Sequence, residues 1–178
     1  MTNKRLKEIL DSITIICDSR EQENSHILDY FDKHGIKHIS RKLDYGDYSF
    51  ELPPISDIGF NEVTTFESRI CVERKNSLDE LSGNIAQSRE RFERELQRAK
   101  ENHAKLILMV EDGTYLQIMK HKYKTDLNER SYLASLFSFK ARYGIEIEFI
   151  ENKLSGWYMF QTFKYFLREE LLNLKMVV

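Results

Sequence analysis

Short apolar runs alternate along the chain with stretches of helical period. Strands are predicted where apolar or alternating residues stand between turn residues: Ile13–Cys17, Ile36–Arg41, Asp47–Leu52, Ile70–Glu73, Lys105–Val110 and Ile145–Ile150. Helices are predicted where apolar residues recur at helical spacing or where helix start and stop residues flank the segment: Ser25–His34, Leu78–Asn102, Asn128–Tyr143 and Ser155–Leu174. Strands that alternate with helices predict a layered α/β fold.

Composition favours one globular domain over residues 1–178. Apolar residues make up 41% of the chain and charged residues 31%. The longest largely apolar stretches, Ile13–Cys17 and Leu106–Val110, are far shorter than the roughly twenty residues of a membrane span. Met1–Asp11 lacks the apolar centre of a signal peptide, so we expect a cytoplasmic protein. Cys17 and Cys71 each lie in an apolar run, which predicts buried thiols and no structural disulfide.

The overall charge of the chain is not typical of a nucleic-acid-binding protein. The formal net charge is −2 and the isoelectric point is about 6.2. Proteins that bind nucleic acid usually carry a basic surface. A function on DNA therefore requires local basic patches and a separate explanation for the acidic residues.

Three carboxylates stand at the ends or edges of predicted strands. They are Asp18, Asp47 and Glu73. If the strands are neighbours, the carboxylates converge, and two such charges about 4 Å apart repel by roughly 4 kcal/mol at a typical protein dielectric. A proton or a cation must offset that repulsion. Oxygen ligands without a nearby His or Cys select Mg²⁺ or Mn²⁺ over zinc.

Glu73 and Lys75 add an argument from strand period. Residues two apart on a strand point to the same face, so an acid and an amine emerge side by side. The acid could hold a metal ion, and the amine could orient the attacking water or help to take its proton. The bare pattern of an Asp followed by Glu-x-Lys occurs by chance in many proteins, so on its own it also fits ordinary surface residues.

The residues around these positions carry a more specific pattern. The chain reads Cys17-Asp18-Ser19-Arg20-Glu21, then Gly46-Asp47-Tyr48, then Val72-Glu73-Arg74-Lys75-Asn76-Ser77-Leu78-Asp79. This resembles the nuclease domain of the XPF family of structure-specific endonucleases, also called the excision-repair cross-complementation group 4 domain. The family shows an Asp-x-Arg-Glu strand end, a Gly-Asp pair, and Glu-Arg-Lys separated by three residues from a following Asp, in the same order. The resemblance covers residues from about 13 to 110, and a helix–strand–helix extension follows over about 128 to 174.

The resemblance implies a fold and an activity. The expected fold is a three-layer, restriction-endonuclease-like α/β fold with a mixed central sheet flanked by helices. The expected activity is Mg²⁺- or Mn²⁺-dependent hydrolysis of DNA, with a preference for flap, fork or branched DNA and a possible homodimer. The implied metal ligands are Asp18, Asp47 and Glu73, and the implied catalytic residues are Asp18, Glu21, Asp47, Glu73, Arg74, Lys75 and Asp79.

Basic residues outside the motifs are candidates for contact with DNA. They are Arg20, Arg89, Arg91, Lys120, Lys122 and Lys124. The arginines of the helical segment could equally be a solvated face whose charges pair at helical spacing. The segment Lys120–Lys124 suits phosphate contact, but a solvated loop explains it nearly as well. Glu111 and Asp112 follow a strand without a role implied by the resemblance, and we favour a structural interpretation for both.

Two departures from the family pattern limit what the resemblance implies. Pro53–Ser68 looks like an irregular insertion beside the site, and the chain lacks the helix-hairpin-helix module of many relatives. Both indicate a stand-alone prokaryotic or phage-type member. Two rival functions stay open at this point. One is a catalytically inert DNA-binding or scaffolding subunit; the other is a nuclease of another line, such as a junction resolvase, a restriction-type enzyme or an RNA-cutting nuclease.

Overall fold

The computed structural model describes residues 2–176, which form one mixed sheet between two layers of helices. The strands are β1 (Thr14–Cys17), β2 (Lys37–Ser40), β3 (Tyr48–Leu52), β4 (Thr64–Thr65), β5 (Ile70–Lys75), β6 (Lys105–Glu111) and β7 (Glu146–Ile150). The helices are α1 (Asn3–Leu10), α2 (Ser25–Lys33), α3 (Leu78–Gln87), α4 (Arg89–Glu101), α5 (Tyr115–Met119), α6 (Glu129–Tyr143) and α7 (Ser155–Met176). Short 3₁₀ turns lie at Ser56–Ile58 and Asn152–Leu154. The predicted α/β class and the mixed sheet are confirmed.

The sheet has the strand order β2-β1-β3-β5-β6-β7, with β4 paired to the end of β3. β3 runs antiparallel to both of its long neighbours, β1 and β5. The pairs β1–β2, β5–β6 and β6–β7 are parallel. As a result, the start of β3 lies beside the ends of β1 and β5, and the residues at these three strand termini meet at one edge of the sheet.

Strand alternation divides the core into two clusters. Along β5, Ile70 and Val72 pack with α1, α2 and α7, whereas Cys71 packs on the other face with α3, α4 and α6. The same alternation continues past the apolar residues, because successive side chains on a strand point to opposite faces. It places Arg74 on the face of β5 that packs against α1, α2 and α7, and Glu73 and Lys75 on the face that packs against α3, α4 and α6.

One predicted helix is two helices. The chain breaks at Ser88, which ends α3 and begins α4 with φ −124° and ψ 27°. Gly83 and Asn84 are weak helix formers, so the end of α3 has little intrinsic stability. Ile85 and Phe92 nevertheless pack in the same cluster on both sides of the break. The apolar spacing therefore stays continuous and hides the break in the sequence.

Two short helices were not predicted. α1 begins at Thr2, whose hydroxyl accepts from the backbone N–H of Arg5, and its Ile9 and Leu10 are buried. α5 begins at Thr114, whose hydroxyl accepts from the N–H of Gln117. Neither is long enough to show a clear helical period in the sequence.

The segment Pro53–Ser68 is irregular, as predicted, but the expectation that it lies beside the site is wrong. β4 pairs with Glu51 and Leu52, at the end of β3 that is distant from Asp47. At about 3.3 Å per residue, roughly 16 Å of strand separates the two positions. Phe66 stacks on Phe50 with ring centroids 4.4 Å apart, so the segment closes the far end of the core.

Cys17 and Cys71 are free and buried, which agrees with the prediction of thiols without a disulfide. Among residues 2–176, no helix combines the length and the apolar character needed to cross a membrane.

Candidate active site

The candidate site lies where β1 ends, β3 begins and β5 ends. Backbone hydrogen bonds join the three strands at this point. The N–H of Asp18 donates to the carbonyl of Asp47 over 2.7 Å, and the N–H of Asp47 donates to the carbonyl of Val72 over 2.8 Å. The sheet therefore fixes the relative positions of the three motifs that the sequence resemblance singles out.

Gly46 allows the chain to approach β5 closely enough for Asp47 to enter the site. Its φ is +70°, and a Cβ atom there would lie 2.9 Å from the Cβ of Cys71 and 3.3 Å from the carbonyl of Val72. A side chain would be strained at that φ and would collide with β5. The glycine of the Gly-Asp pair is thus a packing requirement of this site.

Glu73 and Lys75 emerge from β5 on one face and form a buried ion pair. The Nζ of Lys75 donates to the Oε1 of Glu73 over 2.7 Å, and the two residues are only 7% and 2% exposed. The ammonium also lies 5.3 Å from the ring centroid of Phe92. The second carboxylate oxygen, Oε2 of Glu73, is buried and has no hydrogen-bond partner in the described structure. Such an oxygen is costly to bury unless a further group binds it.

Asp47 completes the acidic centre from β3. Its Oδ2 accepts from the backbone N–H of Arg74 over 2.8 Å. Together with Glu73 and Lys75 it lines a cleft of about 300 Å³. The cleft is also lined by Arg20, Glu80, Asn84, Ser88, Arg91, Phe92 and Glu95.

The cleft holds more negative than positive charge near its floor. Burial raises the pKa of Glu73 to about 7, although Lys75 favours its ionised form, and Glu95 adds to the rise. Burial together with the charges of Glu73 and Glu21 raises the pKa of Asp47 well above its ordinary value. Raised carboxyl pKa values mean that the ionised forms lack sufficient compensation in the chain itself.

The residues present fit a hard divalent cation. Asp47 and Glu73 offer carboxylate oxygens in one cleft, and Oε2 of Glu73 has no partner among the described residues. Across residues 2–176, no three His, Cys, Asp or Glu side chains are arranged as a metal cage. Mg²⁺ commonly uses only one or two protein carboxylates and takes water and substrate phosphate oxygens as its other ligands. Two carboxylates are therefore an adequate donor set for it.

Asp18 lies at the expected strand end, but its carboxylate is engaged elsewhere. Its oxygens accept from the Nε and Nη2 of Arg20, each at 2.8 Å, and from the backbone N–H groups of Arg20 and Leu43, each at 2.7 Å. Burial would raise the pKa of Asp18, but these hydrogen bonds hold it below the ordinary value. The structure thus brings Asp47 and Glu73 together and holds the Asp18 carboxylate on Arg20, which itself lines the cleft.

Arg74 points to the opposite face of β5 and lies in a second ionic network. Its Nε and Nη2 donate to the two oxygens of Glu111 over 2.9 and 2.8 Å, and its Nη1 donates to Glu21 over 2.6 Å. The ring of His26 lies 2.8 Å from the same Glu111 carboxylate. Although burial acts to raise it, the hydrogen bonds from Arg74 and His26 hold the pKa of Glu111 below its ordinary value. Arg74 therefore braces two acids and does not line the cleft.

Glu21 belongs to this second network and not to the cleft of Asp47 and Glu73. Besides Arg74, its carboxylate accepts from the hydroxyl of Tyr48 over 3.3 Å. Burial raises the pKa of Glu21, while the hydrogen bond from Arg74 opposes the rise. The structural interpretation that we favoured for Glu111 agrees with its contacts, although the sequence did not identify Arg74 as its partner.

Asp79 lies in the first turn of α3, which is capped by Ser77, whose hydroxyl accepts from the N–H of Glu80 over 3.2 Å. The Oδ1 of Asp79 accepts from the backbone N–H of Lys124 over 2.6 Å. Asp79 thereby holds the segment Lys120–Lys124 against α3, outside the cleft. The lysine side chains of that segment, Lys120, Lys122 and Lys124, are exposed.

The basic residues of α4 divide into paired and cleft-lining positions. Arg89 donates to Glu93 over 2.6 Å and to the hydroxyl of Ser135 over 2.9 Å, so it joins α4 to α6. Arg91 is exposed and lines the cleft. Of the two arginines predicted on this helix to bind DNA, the structure places only Arg91 beside Asp47 and Glu73.

Two acids of the cleft were missed in the sequence. Glu80 lies 3.4 Å from the Nζ of Lys75, and the Ser77-x-x-Glu80 pattern of a helix-capping box could have drawn attention to it. Glu95 accepts from the N–H of Gly46 over 3.3 Å. The contact between Glu95 and Gly46 depends on how α4 packs across the sheet, and no local sequence pattern predicts it.

Comparisons with known proteins agree with this geometry. The model of the ERCC4 domain family matches residues 17–159. The structure of XPF from Aeropyrum pernix is similar with a TM-score of 0.60 at 20% identity, over 85% of this chain and 60% of that chain. A structure of XPF from Aeropyrum pernix in complex with DNA is similar with a TM-score of 0.59 at 19% identity, over 88% of this chain and 66% of that chain. The chain thus spans about two thirds or less of the length of these solved chains. A comparison with curated proteins gives no match.

Proposed function

Because the chain belongs to the ERCC4 domain family, we propose that it is a metal-dependent endonuclease that hydrolyses phosphodiester bonds in DNA. One observation carries the proposal. Asp47, Glu73 and Lys75 line one cleft, and the buried Oε2 of Glu73 has no partner within the described chain. A site of this kind is suited to a Mg²⁺ or Mn²⁺ ion and a phosphate group.

The proposed metal ligands are Asp47 and Glu73. When bound, the ion would activate a water molecule and offset negative charge on the phosphate. Asp18 was expected to be a third ligand, and that role stays a prediction. Its contacts support a positioning role, since its carboxylate fixes the guanidinium of Arg20 at the cleft wall.

Lys75 is proposed to act on the reacting phosphate or on the attacking water. Its ammonium is held by Glu73 at 2.7 Å and by Glu80 at 3.4 Å, so its position is defined before substrate binds. Burial would lower its pKa, but Glu73, Asp47 and Glu80 raise it. A charged amine donates hydrogen bonds, so orientation of water or stabilisation of phosphate charge fits Lys75 better than proton removal.

DNA is proposed to approach over the wall formed by Arg20 and Arg91. Both are exposed residues that line the cleft, and guanidinium groups bind phosphate oxygens in a bidentate manner. Preference for flap, fork or branched DNA is part of the proposal and rests on family membership. The solved complex of XPF from Aeropyrum pernix with DNA supports DNA as the nucleic acid.

Cleavage of labelled flap, fork, junction and plain duplex DNA tests the proposal. Reactions contain Mg²⁺, Mn²⁺ or a chelator, and the wild type is compared with Asp47→Ala. A matched control is Asp29→Ala, which removes an exposed carboxylate from α2. We expect metal-dependent cutting by the wild type and by Asp29→Ala, and none by Asp47→Ala.

Two results would contradict the proposal. Cutting that persists at the wild-type rate in Asp47→Ala would place the chemistry elsewhere. DNA binding without cutting under every metal condition would favour an inert DNA-binding subunit. Matched RNA substrates in the same assay separate a DNA-specific nuclease from an RNA-cutting one.

Metal binding can be measured without catalysis. Calorimetric titration with Mn²⁺ should show binding to the wild type and a clear loss in Glu73→Gln, because the variant removes one of two ligand carboxylates. Equal binding by both proteins would remove Glu73 from the proposed metal site.

A homodimer also stays a proposal. Two large apolar side chains of α7, Trp157 and Tyr165, are exposed in the single chain. Exposed apolar surface of this kind is common at interfaces between subunits. Light scattering on the purified protein at several concentrations would give the oligomeric state directly.

A further inference from the structure

A second cleft adjoins the proposed active site. It has a volume of about 420 Å³ and shares Arg20 with the active-site cleft. Its walls include Lys42 and Asp44 from the segment before β3, and Arg98 and Asn102 from the end of α4. Because Arg20 lines both clefts, the two form one continuous surface.

The two clefts have opposite charge. The active-site cleft contains four acids and three basic residues: Asp47, Glu73, Glu80, Glu95, Arg20, Lys75 and Arg91. The second cleft contains three basic residues and a single acid: Arg20, Lys42, Arg98 and Asp44. Since the whole chain carries a net charge of −2, this basic surface is a local concentration of positive charge. A surface of that sign attracts the phosphates of a nucleic acid.

The basic residues of α4 form two groups. Some pair with acids or backbone carbonyls of the chain, and the others line the clefts. Arg89 pairs with Glu93, Arg94 lies 3.8 Å from Glu90, and Lys100 donates to the carbonyl of Arg142 over 2.6 Å. Within residues 2–176, Arg91 and Arg98 form no ion pair, and these are the two that line the clefts. They are seven positions apart and so lie on the same face of the helix.

Lys42 shares this property on the opposite wall. It is exposed, it lines the second cleft, and it forms no ion pair within the described part of the chain. Arg20 differs, because Asp18 holds its Nε and Nη2. The second cleft therefore combines one immobilised guanidinium with two cations that have no ion-pair partner among residues 2–176.

We propose that this second cleft binds a backbone phosphate of the DNA strand a few nucleotides from the bond that is cut. Lys42 and Arg98 would hold that phosphate, and Arg20 would lie between it and the reacting phosphate. Seven residues of α-helix span about 10.5 Å from Arg91 to Arg98. Since a duplex advances 3.4 Å per nucleotide along its axis and each step is longer along the strand backbone, this length corresponds to at most about three nucleotides. The inference rests on the proposed function and names a substrate-binding subsite of the same enzyme.

The salt dependence of DNA binding tests the subsite. The protein variant is Lys42→Gln with Arg98→Gln, and the control is Arg94→Gln, a cation of the same helix that pairs with Glu90. Binding of a labelled duplex is measured with Ca²⁺ in place of Mg²⁺ at several salt concentrations. Loss of the contact to this one phosphate should reduce the slope of log affinity against log salt by about 0.9. Between about 50 and 200 mM salt, the variant should then lose roughly 3.5-fold less affinity than the wild type.

Substrate length locates the contact. The cleaved strand is shortened stepwise from each end, and cutting by the wild type and by the double variant is compared at each length. The difference between the two proteins should disappear once the strand on one side of the cut bond is too short to reach the second cleft, at a length of at most about three nucleotides. A difference that persists at every length would place Lys42 and Arg98 elsewhere on the DNA and overturn the subsite.

The failure of the subsite can be told apart from the failure of the proposed function. If the wild type cuts DNA and the double variant has the same salt slope as Arg94→Gln, the subsite alone is wrong. If the wild type neither binds nor cuts DNA, the proposed function fails and the subsite fails with it. Thermal melting of each variant shows whether the fold is retained.

Discussion

Arg74 and Lys75 are adjacent on β5, yet the two faces of that strand are electrostatically different. On one face, Arg74 makes a bidentate pair with Glu111 and a further hydrogen bond to Glu21. On the other face, Lys75 is surrounded by acids, and one buried oxygen of Glu73 has no partner in the described structure. Both acids of the first network are paired with Arg74, whereas the second network is incomplete.

This difference teaches how to separate a structural ionic network from a site for an external ligand. Both networks are buried and both contain acids and a base. In the first, the guanidinium holds the pKa of Glu111 below its ordinary value against the effect of burial, although burial keeps the pKa of Glu21 raised. In the second, the carboxyl pKa values of Asp47 and Glu73 are both raised, and Oε2 of Glu73 has no partner among the described residues. A raised pKa together with an unpartnered buried oxygen therefore distinguishes the acids that call for a cation.

The largest expected effect is a lower rate of DNA cleavage when Lys75, on the incomplete face of β5, is replaced. Lys75→Ala should lower the rate of DNA cleavage by about 10²–10³-fold, because a donor proposed to stabilise charge on the reacting phosphate is lost. DNA affinity should change little, since the basic cleft walls remain. The matched control is Lys105→Ala, whose ammonium lies at the start of β6 and pairs with Glu146 at 2.9 Å. A Lys75→Ala protein that cuts at the wild-type rate would refute the role.

Substitution of Arg74, on the face of β5 whose acids are paired, should lower the free energy of unfolding. Arg74→Met leaves the Glu111 and Glu21 carboxylates without their guanidinium, and removal of one partner from a buried ion pair costs about 3–5 kcal/mol. Arg94→Met removes an exposed arginine 3.8 Å from Glu90 and should change stability by less than about 1 kcal/mol. Urea denaturation of both variants gives the comparison. Equal midpoints would mean that Arg74 contributes no more than a surface residue.

The sequence predicts the division between these faces but not the partners on each. The alternation of residues along β5 places Glu73 and Lys75 together and Arg74 opposite. Glu111 is 37 positions from Arg74, and their contact depends on β5 and β6 being parallel neighbours in one particular register. Strand order and register are set by packing of the whole core, so no local pattern reveals them.

The dependence of contacts on the assembled fold also explains why the partners of Asp18 and Glu95 were not predicted from the sequence. The strand end that carries Asp18 was predicted, but the direction of its carboxylate depends on Arg20 and on the backbone of Leu43, 25 positions away. Glu95 reaches Gly46 only because α4 packs across the sheet. Periodicity identifies elements and faces, whereas the contacts between loops and helices emerge only in the assembled fold.

A smaller effect is expected on stability from the uncompensated charge of Asp47. Asn at this position can still accept from the N–H of Arg74, while it removes a carboxylate whose pKa is raised by burial and by Glu73 and Glu21. We expect Asp47→Asn to stabilise the protein in the presence of a chelator by on the order of 1 kcal/mol, or about 2–4 °C in melting temperature. Loss of activity together with a gain in stability is common at strained functional sites.

The pH dependence of that gain follows from the sign of the pKa shift. A carboxyl group whose pKa is raised on folding destabilises the fold progressively as pH rises from its unfolded pKa through its folded pKa. The advantage of Asp47→Asn should therefore be absent at acid pH, grow as the pH rises and be complete in alkaline solution. Asp29→Asn, at an exposed position, should show no such trend. A constant difference across the pH range would remove this explanation.

The smallest effect is expected when the lysines of the segment Lys120–Lys124 are replaced, and it is a change in the salt dependence of DNA binding. This segment lies outside both faces of β5. Asp79 fixes its backbone by accepting from the N–H of Lys124 over 2.6 Å, so its three exposed lysines are presented from an anchored segment. Replacement of all three lysines by Gln should flatten the salt dependence of DNA binding if they contact phosphate, by up to about 0.9 in slope for each contact. Release of the anchor by Asp79→Ala should flatten it less, because the charges remain but are held less firmly. An unchanged slope in the triple variant would identify the segment as a solvated loop and would confine DNA recognition to the surface around the incomplete face of β5.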